Sequence, residues 1–270
     1  MHRRQRRGGA AWALLGAGVA AGALLSAGCG SSGTDPTARI RAVDLSGNAG
    51  TTGVLVNGSA NGGDLSFGNS SPYNYVGQGL STFSFTTSVA VPTGVTYPPS
   101  PTLQLNNNSY YTAYLIGRVD VVNVGNKPDP RFVQTVVTGD KGAAANYASG
   151  TAYTNPPSGQ ANIRLLNGAP DAGAVDVLIN GQKAFPSVPY PAFPTVTTVG
   201  NTSGTATTPA TFYQAFAAGT ISVQVNAAGT ATVLVPPTNL AVSGGNAYTI
   251  VVTEPTIAPT YGLYLSGDQQ

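Results

Sequence analysis

Val177-Leu178-Ile179-Asn180-Gly181 reads as a strand running into a tight turn, and the same form stands earlier as Val54-Leu55-Val56-Asn57-Gly58. Asn-Gly is the strongest short hairpin signal, because a type I′ turn needs positive φ at both central residues. The two stretches lie 123 residues apart, and the match extends outward from them. Ala38-Arg39-Ile40-Arg41-Ala42-Val43 aligns with Ala161-Asn162-Ile163-Arg164-Leu165-Leu166 at the same offset. Gly79-Leu80-Ser81-Thr82-Phe83-Ser84-Phe85 parallels Gly219-Thr220-Ile221-Ser222-Val223-Gln224-Val225. Leu103-Gln104-Leu105 and Tyr111-Thr112 match Leu240-Ala241-Val242 and Tyr248-Thr249, and Val136-Val137-Thr138-Gly139-Asp140 matches Tyr264-Leu265-Ser266-Gly267-Asp268. Matches in one collinear order define a repeat of two units, each large enough for one sandwich-sized core.

The units read as β throughout. Ile221 to Val225 and Phe83 to Phe85 alternate apolar with polar residues, so each strand has one dry face and one wet face. Gly, Pro and Asn clusters punctuate the runs, and no segment after residue 28 combines helical periodicity with capping residues. The expected fold is all-β: two tandem antiparallel β-sandwich (immunoglobulin/transthyretin-like) domains. Their expected bounds are 38–142 and 159–270, joined by a Gly/Ala/Pro-rich linker over 143–158.

The N-terminus carries an address. Arg3, Arg4, Arg6 and Arg7 precede an apolar run from Ala10 to Leu25, and small residues lead to Cys29, the sole cysteine. This order resembles a bacterial lipoprotein signal, which implies cleavage after residue 28 and lipidation (palmitate) of Cys29. Ser26 stands where the lipobox usually carries Leu. An ordinary signal peptide with an incidental cysteine and an uncut anchor are the alternatives, although the run falls short of the roughly 20 residues that a spanning helix needs. Residues 29–37 form a tether that keeps the first unit within roughly 30 Å of the lipid. The expected location is extracytoplasmic, on the cell envelope. Gly30, rather than Asp, after the cysteine implies the outer membrane where the cell has two.

Removing residues 1–28 also removes Met1, Trp12 and His2, the only residues of their types, and four of the 12 Lys/Arg. Net charge falls from +2 to −2. The remaining chain lacks the usual neutral-pH general base, a free thiolate and the commonest transition-metal ligand. No basic stripe remains for nucleic acid. Charged residues make up 8% of the chain, so Ser, Thr, Asn, Gln, Gly and Tyr must form its surface.

Ile163-Arg164-Leu165-Leu166-Asn167-Gly168-Ala169-Pro170-Asp171 leads into Ala174-Val175-Asp176-Val177-Leu178-Ile179-Asn180-Gly181. With Ala247-Tyr248-Thr249-Ile250-Val251-Val252, this resembles the family called domain of unknown function 4397. Unit one fits its pattern less fully: it lacks the Pro-Asp pair, and Gly53 replaces Asp176. The resemblance implies an extracytoplasmic β-sandwich module, often in tandem, and no activity.

Several residues invite chemistry. Asp171 and Asp176 have the composition of a glycosidase carboxylate pair or a calcium site, yet unit one has Asn48 and Gly53 there. An Asx turn at Asp171 and charge balance at Asp176 is the structural alternative. A Ser–Lys dyad would need Lys127, Lys141 or Lys183, all in turn-rich stretches where lysines are solvated. No catalytic residue, metal ligand or cofactor is therefore assigned.

The tyrosines are the stronger candidates. Tyr73, Tyr75 and Tyr110, with Tyr97, Tyr111 and Tyr114 nearby, suit a glycan- or protein-binding face, because tyrosine joins an apolar ring to a polar tip. Strand packing is the alternative. Tyr111 and Tyr248 recur at equivalent positions and point to the core, whereas Tyr110 faces outward. Arg118 to Pro130 holds much of the charge and reads as an extended edge hairpin. Arg164 recurs as Arg41, on the strand face opposite Ile163 and Leu165. The expectation is a structural ion pair between Arg164 and Asp176, with Arg41 less buried because Gly53 offers it no partner. The expected function is binding, adhesion or scaffolding at the envelope, with an envelope glycan or protein as partner. A carbohydrate-active enzyme, or its carbohydrate-binding accessory, is the alternative.

Overall fold

Alternating sequences fold here as alternating strands, in a computed structural model that describes residues 37–90, 102–120, 129, 131–140, 155–191, 213–255 and 260–268. The signal segment, Cys29, the tether up to residue 36, Tyr97, Lys127, Lys141 and linker residues 143–154 lie outside the described residues.

The first half contains β1 (Thr37–Asp44), β2 (Thr52–Val56), β3 (Ser59–Ala60), β4 (Asn74–Gly77) and β5 (Gly79–Ser81). It continues with β6 (Phe83–Thr87), β7 (Leu103–Leu105), β8 (Tyr110–Ile116) and β9 (Gln134–Gly139). The second half contains β10 (Gln160–Asn167), a 3-10 turn at Pro170–Ala172, β11 (Val175–Ile179), β12 (Gln182–Val188) and β13 (Gln214–Ala217). β14 (Gly219–Ala227), β15 (Val233–Val242), β16 (Ala247–Thr253) and β17 (Gly262–Asp268) complete it.

Strand order repeats between the halves. One sheet runs β4-β1-β8-β9, and its counterpart runs β13-β10-β16-β17. The opposing sheet of the second half runs β12-β11-β14-β15. Its counterpart is split into β3-β2-β6 and β5-β7, because the strand that is continuous as β14 breaks at Thr82 into β5 and β6.

The Asn-Gly turns form as their chemistry requires. Asn57 and Gly58 have φ of 51° and 79°, and Asn180 and Gly181 have 51° and 77°. Each asparagine also accepts a bond from the neighbouring strand, Thr82 N to Asn57 Oδ1 at 2.8 Å and Ser222 N to Asn180 Oδ1 at 2.9 Å. The turn residue thus ties its hairpin to the sheet.

One correction concerns strand direction. β1 pairs with β8, and β10 with β16, in parallel, so the sandwiches are not wholly antiparallel. A parallel neighbour needs a crossover, and the chain supplies one: after β1 it visits the opposite sheet, returns as β4, and crosses again through β5 to β7 before re-entering as β8.

Each half buries its own core between its sheets. Ile40, Ala42, Val54, Phe83, Phe85, Leu105, Tyr111 and Leu115 meet in the first half. Ile163, Leu165, Val177, Phe185, Ile221, Val223, Val225 and Ile250 meet in the second. The same tyrosine bond recurs at the edge of each core: Asn106 N donates to Tyr111 Oη at 3.0 Å, and Ser243 N donates to Tyr248 Oη at 2.9 Å. A third cluster belongs to both halves. Val43, Leu45, Tyr114 and Ile116 pack with Leu166 and Val251, so the outward faces of the β4-β1-β8-β9 and β13-β10-β16-β17 sheets cover each other. The described residues accordingly fall in one compact unit, Asp35–Gln270.

Candidate functional site

An arginine one residue along from a core position points away from its own sandwich. Ile163 and Leu165 of β10 enter the second core, so Arg164 between them projects toward the first half. Its side chain is fully buried there. Nε donates to Thr249 Oγ1 of its own half at 2.6 Å. The remaining donors cross over: Nη1 to Gly139 O at 2.8 Å, and Nη2 to Thr138 Oγ1 at 3.0 Å and Asp140 Oδ1 at 2.6 Å. Asp268 Oδ2 stands 3.3 Å from Nη2, and the Tyr213 ring lies under the guanidinium at 4.9 Å.

Arg41 repeats this arrangement from the other side. Nε donates to Thr112 Oγ1 at 2.9 Å, and Nη2 crosses to Ser266 Oγ at 2.6 Å. Asp268 lies 3.5 Å away, and the Tyr73 ring lies 5.0 Å from its guanidinium carbon. The acids are held in matching fashion. Thr112 and Tyr73 donate to Asp140 Oδ2 at 2.7 and 2.9 Å; Thr249 and Tyr213 donate to Asp268 Oδ2 at 2.9 and 2.7 Å. Arginine, threonine, tyrosine and aspartate from each half therefore form one pseudo-symmetric buried network.

Its electrostatics follow from burial. Burial opposes the charge on Arg164, but Asp268, Tyr213 and Asp140 outweigh it and hold the pKa well above the ordinary arginine value. The same burial pushes the Asp268 carboxyl upward, with Arg164 pulling against it. The charges are mutually satisfied across the boundary between the halves.

The expected pairing of Arg164 with Asp176 is corrected by this geometry. Consecutive strands β10 and β11 lie in opposite sheets, so Asp176 cannot follow Arg164 into the shared face. Asp176 instead accepts from Lys183 Nζ at 2.6 Å and from the backbone N–H groups of Ser187 and Gly229 at 2.8 and 3.0 Å. These donors keep its carboxyl below the usual range despite burial. Arg41 is less buried than Arg164, with its side chain 11% exposed against 0%, yet its partners are Thr112, Ser266 and Asp268 rather than Asp44 or backbone carbonyls.

A second set of charges lines another part of the same boundary. Arg118 Nη1 donates to Asp171 Oδ2 at 2.9 Å and lies 3.5 Å from Glu254 Oε1. Arg131 Nη1 reaches Asp171 Oδ1 at 3.2 Å. Asp171 thus receives two arginines, Arg118 from the start of the segment read as an edge hairpin and Arg131 just past its end, while Asp176 serves a separate cluster. A Cβ at Gly47 would meet the Pro255 carbonyl of the other half, so the chains approach closely there.

The three singled-out tyrosines divide. Tyr73 is partly buried and belongs to the network through Asp140. Tyr110 packs edge-on against Tyr73, with ring centroids 5.1 Å apart. Tyr75 is 65% exposed. Arg39 Nη1 donates to Tyr110 Oη at 2.8 Å, and Nη2 to Tyr75 Oη at 3.2 Å.

Composition alone does not single out Asp140, Asp268, Thr112, Thr249 or Tyr213. A usable signal existed: each polar residue recurs at its repeat-equivalent position, inside or beside an apolar strand.

Fold and site together define an all-β sandwich protein whose buried charges join its two halves. Residues 161–270 match the model of the family described as Domain of unknown function (DUF4397). A search of curated proteins found no match.

Proposed function

We propose that this chain is a lipid-anchored, extracytoplasmic pair of DUF4397-type sandwiches that binds or scaffolds at the cell envelope and has no chemistry of its own. In this reading residues 37–140 are a second, diverged copy of the module matched at 161–270. The observation that carries it is the cross-boundary network. Arg164, Arg41, Asp140 and Asp268 hold each other, so the deepest charges work as structural ties. Two modules tied by buried charges, behind a short tether, suit presentation of a surface. The Arg39–Tyr75–Tyr110 cluster supports a carbohydrate-binding accessory role over the enzyme alternative, since its groups are suited to contact.

The anchor is tested by Cys29→Ser. Wild-type chain should incorporate labelled palmitate and partition into detergent, because each lipid chain contributes about 0.8 kcal/mol per buried CH₂. The variant should accumulate as unprocessed precursor. A variant cleaved and released like wild type would end the lipoprotein reading.

A further inference from the structure

Tyr75, Arg39 and Tyr110 occupy one cross-strand row of the β4-β1-β8-β9 sheet, since Arg39 registers with Tyr75 on β4 and with Tyr110 on β8. The Arg39 guanidinium carbon lies 4.7 Å from the Tyr75 ring centroid and 4.9 Å from that of Tyr110. Both hydroxyls accept from it, which fixes its plane. The row is also braced from below: Tyr110 rests on Tyr73, which is bonded to Asp140 in the buried network.

The equivalent row of the second half is Ala215, Asn162 and Ala247, by the same registers. The fold therefore does not need this cluster. Among the described residues, every other arginine and Lys183 has a carboxylate within ion-pair distance, but Arg39 has none. A cation left without an acid, held by two tyrosines and bordered by an exposed ring, is a preformed contact for an anionic group beside an apolar face. A sugar acid has both: the carboxylate takes the open guanidinium N–H groups, and the C–H face of the pyranose lies on Tyr75.

We infer that Tyr75, Arg39 and Tyr110 form a binding subsite for a uronate-bearing acidic polysaccharide. This rests on the envelope-binding reading, but the two fail separately: an acylated chain that ignores uronates keeps its anchor, and a chain that binds them without acylation keeps the subsite.

The test is affinity electrophoresis of the chain purified in detergent, through gels containing polygalacturonate, neutral amylose or poly-glutamate. Polygalacturonate should retard the chain more than either control. Arg39→Gln should weaken this by about tenfold or more and abolish its salt dependence, as expected when an orienting charged contact is lost. Tyr75→Ala, at an exposed position, should weaken retardation without lowering the melting temperature, which separates binding from a packing role. Equal retardation by poly-glutamate, no retardation by polygalacturonate, or unchanged retardation of both variants would each overturn the proposal.

Discussion

The two halves share a strand order but use the same positions differently. Arg41 and Arg164 both stack on a tyrosine, hold their own threonine and reach across the boundary, yet Arg164 is sealed and makes the shorter contacts with carboxylates. Next to Arg41 the first half adds a Tyr-Arg-Tyr row with Tyr75 exposed; next to Arg164 the second half has Ala-Asn-Ala. The network recurs in both halves, whereas the row belongs to the first half alone.

Removing the sealed arginine should break this comparison most strongly. Arg164→Ala leaves Asp140 and Asp268 buried without their shared cation, an expected loss of about 3–5 kcal/mol in chemical denaturation. Arg41→Ala should cost clearly less, because Asp268 keeps Arg164, Thr249 and Tyr213. Equal losses would show that the network is symmetric in energy as well as in geometry.

A smaller effect of opposite sign is expected at Asp44, which stands where the second half has Asn167. Each caps the turn that follows, Asp44 Oδ1 accepting from Ser46 N and Asn167 Oδ1 from Ala169 N. Burial pushes the Asp44 carboxyl from about 3.8 up to about 6, against the pull of Ser46 and Thr52. A carboxyl with a raised folded pKa binds more protons in the folded state, so stability falls as pH rises from about 4 to 7. The shift corresponds to at most about 3 kcal/mol. Asp44→Asn should therefore stabilise the chain at pH 7 and have no such effect below about pH 4. Urea denaturation across that range checks it, and a pH-independent effect would mean the carboxylate is already well solvated.

The smallest expected effect is at Lys183. It is half exposed, and Asp176 keeps two backbone donors without it. Lys183→Ala should cost no more than about 1 kcal/mol. A loss approaching that of Arg164→Ala would make Asp176 the more important acid after all.

Much of the fold was legible because its causes are local. Val54 to Gly58 and Val177 to Gly181 carry both strand and turn within five residues, and Phe83-Ser84-Phe85 shows its buried face by alternation. The family resemblance rests on the same local patterns in both units, more fully in the second, and the family model matches that second half, residues 161–270. The site was half legible: Arg164 stood out as a charge on an apolar strand, but its partner did not. Consecutive strands side by side, as in a hairpin, would bring Asp176 to Arg164, but β10 and β11 lie in opposite sheets.

By itself the amino-acid sequence determined the alternating strands, the two hairpin turns, the repeat and the demand that Arg164 be paired, since alternation, positive-φ turns and the cost of a buried charge are all properties of short stretches. Only the tertiary structure decided which sheet each strand joins, that β1 and β10 lie parallel to β8 and β16, and that the outward faces of two sheets cover each other. Those outcomes depend on contacts between distant segments: Arg41 meets Ser266 across 225 residues of chain, a distance over which no local pattern carries information.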